Sequence, residues 1–88
     1  MPNSITQQAV RTPAQLGAAL RRHRRQRGLS QDQLAQAVSL RQGTVSALEQ
    51  GAPGTKLQTV MDALAALGLE IVLRDRASAP APEIEELF

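Results

Sequence analysis

Residues 30–51, SQDQLAQAVSLRQGTVSALEQG, decide how this chain folds. They read as two short helices joined by a tight turn. The first spans about Gln31 to Val38. Ser30 stands at its N-cap with Gln33 three residues on, the spacing at which two side chains satisfy each other's unpaired backbone N–H groups. Ser39, Leu40 and Arg41 suffice only for a turn. The second helix runs from about Gln42 to Gln50, and Gly51 ends it, because the left-handed residue that closes a helix costs least as glycine. Leu34, Ala35 and Val38 share one helical face, Val45 and Leu48 share another, and Leu40 lies between them. Two apolar faces joined so briefly meet at a steep angle. The second helix then stands off the domain with Gln42, Gly43, Thr44, Ser46 and Ala47 on its outer side. That is the layout of a helix-turn-helix whose second helix enters a DNA major groove. An ordinary corner of an all-α domain has the same spacing, and spacing alone leaves both open.

On the N-terminal side, residues 1–11 show no periodicity and read as a flexible lead-in. Thr12, Pro13 and Gln15 form a helix start, with Thr as N-cap, Pro in the first turn and Gln in the capping-box position. This helix runs to about Arg27 and stops at Gly28. Leu16, Ala19 and Leu20 face the core, Arg21, Arg22, Arg25 and Arg27 face solvent, and Arg24 lies one turn beyond Leu20 on the inner side.

On the C-terminal side, residues 51–54 form a loop. Thr55 is expected to cap a further helix with Gln58, and Leu57, Val60, Met61, Leu64 and Leu67 form the apolar stripe that closes the core. Met61 reads as packing rather than as a ligand. Gly68 ends the helix. Residues 69–76, LEIVLRDR, then change character: β-branched residues and partial alternation place Leu69, Ile71 and Leu73 on one side of a strand, with Val72 opposite. A lone strand leaves its backbone groups unpaired, so the same strand of a second copy, antiparallel about a two-fold axis, is the expected partner. The alternative is a frayed extended tail. Residues 77–88, ASAPAPEIEELF, read as a linker followed by a disordered acidic tail. Ile84, Leu87 and Phe88, the only aromatic residue in the chain, are candidate anchors for a partner.

The chain has 88 residues, enough for one small domain with a modest core, which oligomerisation would help to stabilise. It lacks Cys, Trp and Tyr, so disulfides and thiolate metal sites are excluded, and the single His23 cannot build a metal site alone. No metal and no cofactor are expected. No apolar run is long enough to span a membrane, and residues 1–4 do not resemble a signal peptide. The net charge of +2 is unevenly spread: residues 1–68 carry eight basic and three acidic side chains, residues 69–88 two basic and five acidic. A basic body suits a phosphate backbone, which would repel an acidic tail. No nucleophile–base set or phosphate loop is present, so an enzyme is not expected.

The segments LSQDQLAQ (29–36) and TVSALEQG (44–51) resemble the lambda-repressor-like, Xre-type helix-turn-helix family, over roughly Leu16 to Leu69. Two positions depart from its pattern. Ser39 stands where the family usually has Gly, and Arg41 where it has Ser or Thr. Arg41 cannot cap as a hydroxyl would, which leaves it to touch DNA. The resemblance implies that Arg24 pairs with Glu49 as a structural ion pair. The strand after the helices, and the wording of Leu40–Ser46 and Ile71–Asp75, resemble more narrowly the HipB family of antitoxins.

The expected fold is therefore mainly α: about four helices over 12–68, plus a dimerisation strand over 69–76 that pairs across a homodimer. Gln31 would hold a phosphate at the start of its helix. The Gln42 amide both donates and accepts, matching the N6/N7 edge of adenine. Arg41 would reach a guanine or a phosphate, and Thr44 and Ser46 are short donors. Gly43 would allow close approach, and Ala47 would meet a thymine methyl. A dimer would place two such helices about 34 Å apart on a palindromic operator, with binding that weakens steeply in salt. The HipB resemblance implies an antitoxin that represses its own operon in the cytoplasm, on the nucleoid, and neutralises a HipA-like Ser/Thr kinase toxin. The alternatives are a stand-alone repressor without a toxin and a protein-binding adaptor.

Overall fold

A computed structural model describes residues 7–76. It contains four helices: α1 (Pro13–Gln26), α2 (Gln31–Ala37), α3 (Gln42–Glu49) and α4 (Leu57–Ala66). The starts of α1 and α2 reflect local chemistry. The Thr12 hydroxyl accepts the amide of Gln15 at 3.0 Å, with Pro13 in the first turn. The Gln15 side chain reaches one residue further back than a capping box requires and accepts from the amide of Arg11 at 2.6 Å. At α2 the box is complete: Ser30 Oγ accepts from Gln33 N, and Gln33 Oε1 accepts from Ser30 N.

All four helices end the same way. The residue after the C-cap has positive φ, and the next amide donates back five residues. The returning bonds are Leu29 to Arg24 (3.2 Å), Leu40 to Ala35 (2.8 Å), Ala52 to Ala47 (3.0 Å) and Leu69 to Leu64 (2.8 Å). Glycine fills the left-handed position in three of them. In α2 it is Ser39, at φ 59°.

Helix α3 packs against both α1 and α2, and α4 packs against α2. Leu20, Leu34, Val45 and Leu67 are the largest fully buried side chains, joined by Ala35, Leu48, Val60, Ala63 and Leu64. Leu16, Leu29, Leu40 and Leu69 seal the edges. Helices α1 and α3 meet at Gly17, where a Cβ would lie 2.4 Å from the carbonyl oxygen of Glu49. No larger residue fits there without moving a backbone.

The start of α4 departs from expectation. Thr55 does not cap it: its hydroxyl donates to Ala52 O at 2.9 Å, the helix begins two residues later, and its N-cap residue Lys56 makes no side-chain cap. Gln58 hydrogen-bonds to Asp62 along the helix instead. The buried stripe is Val60, Ala63, Leu64 and Leu67. Leu57 and Met61, expected in the core, lie at its margin, 70% and 44% exposed. Residues 69–76 form no strand within the protomer; among the described residues, Leu69 alone in this segment is tied to α4 by a backbone hydrogen bond. Ile71, Val72 and Leu73 are exposed. Ile84, Leu87 and Phe88 lie outside the described residues.

Candidate DNA-reading site

The short turn after α2 leaves the N-terminal half of α3 facing outward. Arg41, Gln42 and Gly43 are exposed, and Thr44, Ser46 and Ala47 are half-buried. Val45 and Leu48 on the opposite face are buried and anchor the helix. Arg41 is the N-cap of α3, in extended backbone and without a side-chain cap, so its guanidinium takes no part in starting the helix. Nothing lies within 4 Å of a Cβ built at Gly43, so this glycine answers to no contact inside the protomer.

Beneath this surface lies a buried ion pair. Arg24 from α1 donates from Nε to Glu49 Oε2 at 2.6 Å and from Nη2 to Oε1 at 3.0 Å, and its Nη1 donates to Leu29 O at 2.7 Å. Both residues are buried, at 6% and 7% exposure. Burial by itself would raise the Glu49 carboxyl. Hydrogen bonds from Arg24 and Gln31, with the charges of Arg24 and Arg21, outweigh it and hold Glu49 below its ordinary value near 4.5. Among the described residues no buried side-chain polar atom lacks a partner.

The pair is connected to the surface. Gln31 Nε2 donates to Glu49 Oε1 at 3.0 Å, and Gln42 Nε2 donates to Gln31 Oε1 at 2.6 Å. Gln31, read from sequence as a phosphate contact, thus has both ends of its amide engaged within the protein. Its partner Glu49 is 18 residues away, beyond the reach of any local pattern. Gly17 also went unread, although a glycine inside an Ala- and Leu-rich helix signals a close approach.

Comparison with known proteins agrees with this geometry. A helix-turn-helix domain family matches residues 15–77. The antitoxin HipB of Escherichia coli K12 is 34% identical over 79 residues, which cover 90% of this chain and 89% of the relative. The chain belongs to the HipB family of helix-turn-helix antitoxins. HipB of Escherichia coli O6:H1 is likewise 34% identical over 79 residues, covering 90% of this chain and 83% of that protein. Solved HipB structures superpose closely. The HipB–O4 20mer complex gives a TM-score of 0.74 at 33% identity, covering 78% of this chain and 97% of that one. The HipA–HipB–O2–O3 complex gives the same score, identity and coverage. Among the described residues no group of His, Cys, Asp or Glu could hold a metal ion, and no helix is long and apolar enough to cross a membrane.

Proposed function

We propose that this HipB-family protein is a dimeric repressor that binds its own operator and, as the antitoxin of the operon, restrains a HipA-like Ser/Thr kinase toxin. The observation that carries the DNA part is the outward polar half of α3, with Gln42 hydrogen-bonded in place at its start. Gln42 reads adenine through its amide, and Arg41 beside it reaches a guanine edge or a phosphate. Thr44 and Ser46 supply short donors, Gly43 allows close approach, and Ala47 packs on a thymine methyl. The amide hydrogen of Gln31 left over after its bond to Glu49 serves a phosphate oxygen.

Dimerisation rests on Leu69, Ile71, Val72 and Leu73, with strands paired across the two-fold axis. The exposed Leu57 and Met61 of α4 add apolar surface that a lone protomer would leave in water. Ile84, Leu87 and Phe88 are the segment proposed to meet the toxin. The toxin part is motivated by the family relationship and by the HipA–HipB–O2–O3 complex as a structural neighbour.

A shift assay with the DNA upstream of the protein's own reading frame tests the first part. Gln42→Ala should weaken that complex by about 1–3 kcal/mol and relax its sequence preference. Unchanged affinity for both operator and scrambled DNA would remove Gln42 as a reader. Co-purification with the product of a neighbouring kinase-like reading frame tests the second part. Operator binding without any such partner would leave a stand-alone repressor.

A further inference from the structure

We infer that the buried Arg24–Glu49 pair determines which atoms of Gln42 face the DNA, and so sets base preference without touching a base. This rests on Gln42 being a base-reading residue, as proposed above. The inference follows from the direction of the hydrogen bonds. A guanidinium only donates and an ionised carboxylate only accepts. Arg24 occupies both oxygens of Glu49 with donors, at 2.6 and 3.0 Å. Gln31 must therefore turn its NH2 toward Glu49, because the flipped amide would set a carbonyl oxygen against a negative charge. With the NH2 turned inward, Gln31 presents Oε1 outward, and Gln42 has to donate to it.

Every hydrogen bond from Gln42 to Glu49 thus points inward, and a charge that cannot donate enforces that polarity. Gln42 retains its Oε1 acceptor and its second amide hydrogen, the pair that complements the N6/N7 edge of adenine. Flipping Gln42 would bring its carbonyl oxygen onto that of Gln31. If residue 49 could donate as well as accept, both amides could flip together and exchange the donor and acceptor positions that the groove meets. Arg24, Glu49 and Gln31 are in this sense positioning residues for recognition.

The test is selection from random-sequence duplexes, followed by affinity measurements on the selected site and on single-base-pair changes of it. Gln42→Ala identifies the base pair whose preference depends on Gln42. At that pair, Glu49→Gln and Gln31→Met should each lower the discrimination by about tenfold; Glu49→Gln should leave binding to unrelated duplex within about twofold, whereas Gln31→Met, which also loses a phosphate contact, weakens every duplex alike. Glu49→Gln added to Gln42→Ala should lower it no further. Gln31→Met keeps the ion pair and cuts its link to the surface, and its discrimination at that pair, taken relative to unrelated duplex, decides the matter if Glu49→Gln does not fold. A loss of affinity equal for every duplex, with discrimination at the wild-type level, would overturn the inference and leave Arg24 and Glu49 as helix ties alone. If Gln42→Ala leaves every preference intact, both this inference and the role of Gln42 as a reader fall. If Gln42→Ala abolishes a preference that Gln31→Met preserves, the inference falls alone.

Discussion

At the scale of single residues, the site depends on two positions that carry no DNA-binding chemistry. A methyl group at Gly17 would meet the carbonyl oxygens of both Leu48 and Glu49, at 2.6 and 2.4 Å. Gly17→Ala should therefore push α1 from α3 and lower stability by about 1–3 kcal/mol, seen as a lower urea midpoint. A midpoint equal to wild type would mean that the two helices separate without loss. Glu49 supplies a second expectation. Its carboxyl is held below the unfolded value, so the pair's stabilisation is present above that value and is lost as pH falls through the folded one. As pH falls below the ordinary value near 4.5, the wild type should lose more stability than Glu49→Gln, whose residue 49 takes up no proton. Parallel pH profiles for the two proteins would refute this. Arg24 was legible as an inward-facing arginine, and its link to Glu49 came from family resemblance. The inward hydrogen bonds of Gln31 were not legible, because they depend on the packing of three helices.

At the scale of elements, helix boundaries followed local signals wherever capping residues or glycine supplied them. Thr12, Ser30, Gly28, Gly51 and Gly68 all act where the sequence places them. The exception is α4, where Thr55 looked like a cap, but its hydroxyl is engaged by Ala52 O and the helix starts later. The one closing position not filled by glycine, Ser39, holds a left-handed conformation that a Cβ disfavours. Ser39→Gly should stabilise the domain by about 0.5–1 kcal/mol, after the entropy that glycine loses on folding. A melting point higher by roughly 3–6 °C would register this. An unchanged or lower melting point would mean that the Ser39 hydroxyl stabilises the turn more than its Cβ strains it.

At the scale of the whole molecule, the helix-turn-helix could be read because apolar spacing, caps and turn length all agree. The surface that remains apolar could not be placed the same way, since which side of α4 is free depends on how the helices pack. Leu57, Met61, Ile71, Val72 and Leu73 are all exposed on the protomer, an apolar surface that a second copy would remove from water. If a second copy covers it, Ile71→Asp should yield a folded monomer. Sedimentation of that variant as an intact dimer would refute the shared strand. Four helices with unchanged circular dichroism would show that the loss lies in assembly rather than in folding.

The bonds that hold the Gln42 amide join positions 25, 18 and 11 residues apart along the chain. Its pose therefore exists only once α1, α2 and α3 have all assembled. With Gln42 as the proposed reader, a copy nicked by a protease in the first helix, or still emerging from the ribosome before Glu49 is made, would keep its basic charge but lose its selectivity. Such fragments would cling weakly to any duplex without competing with finished copies for a chosen sequence.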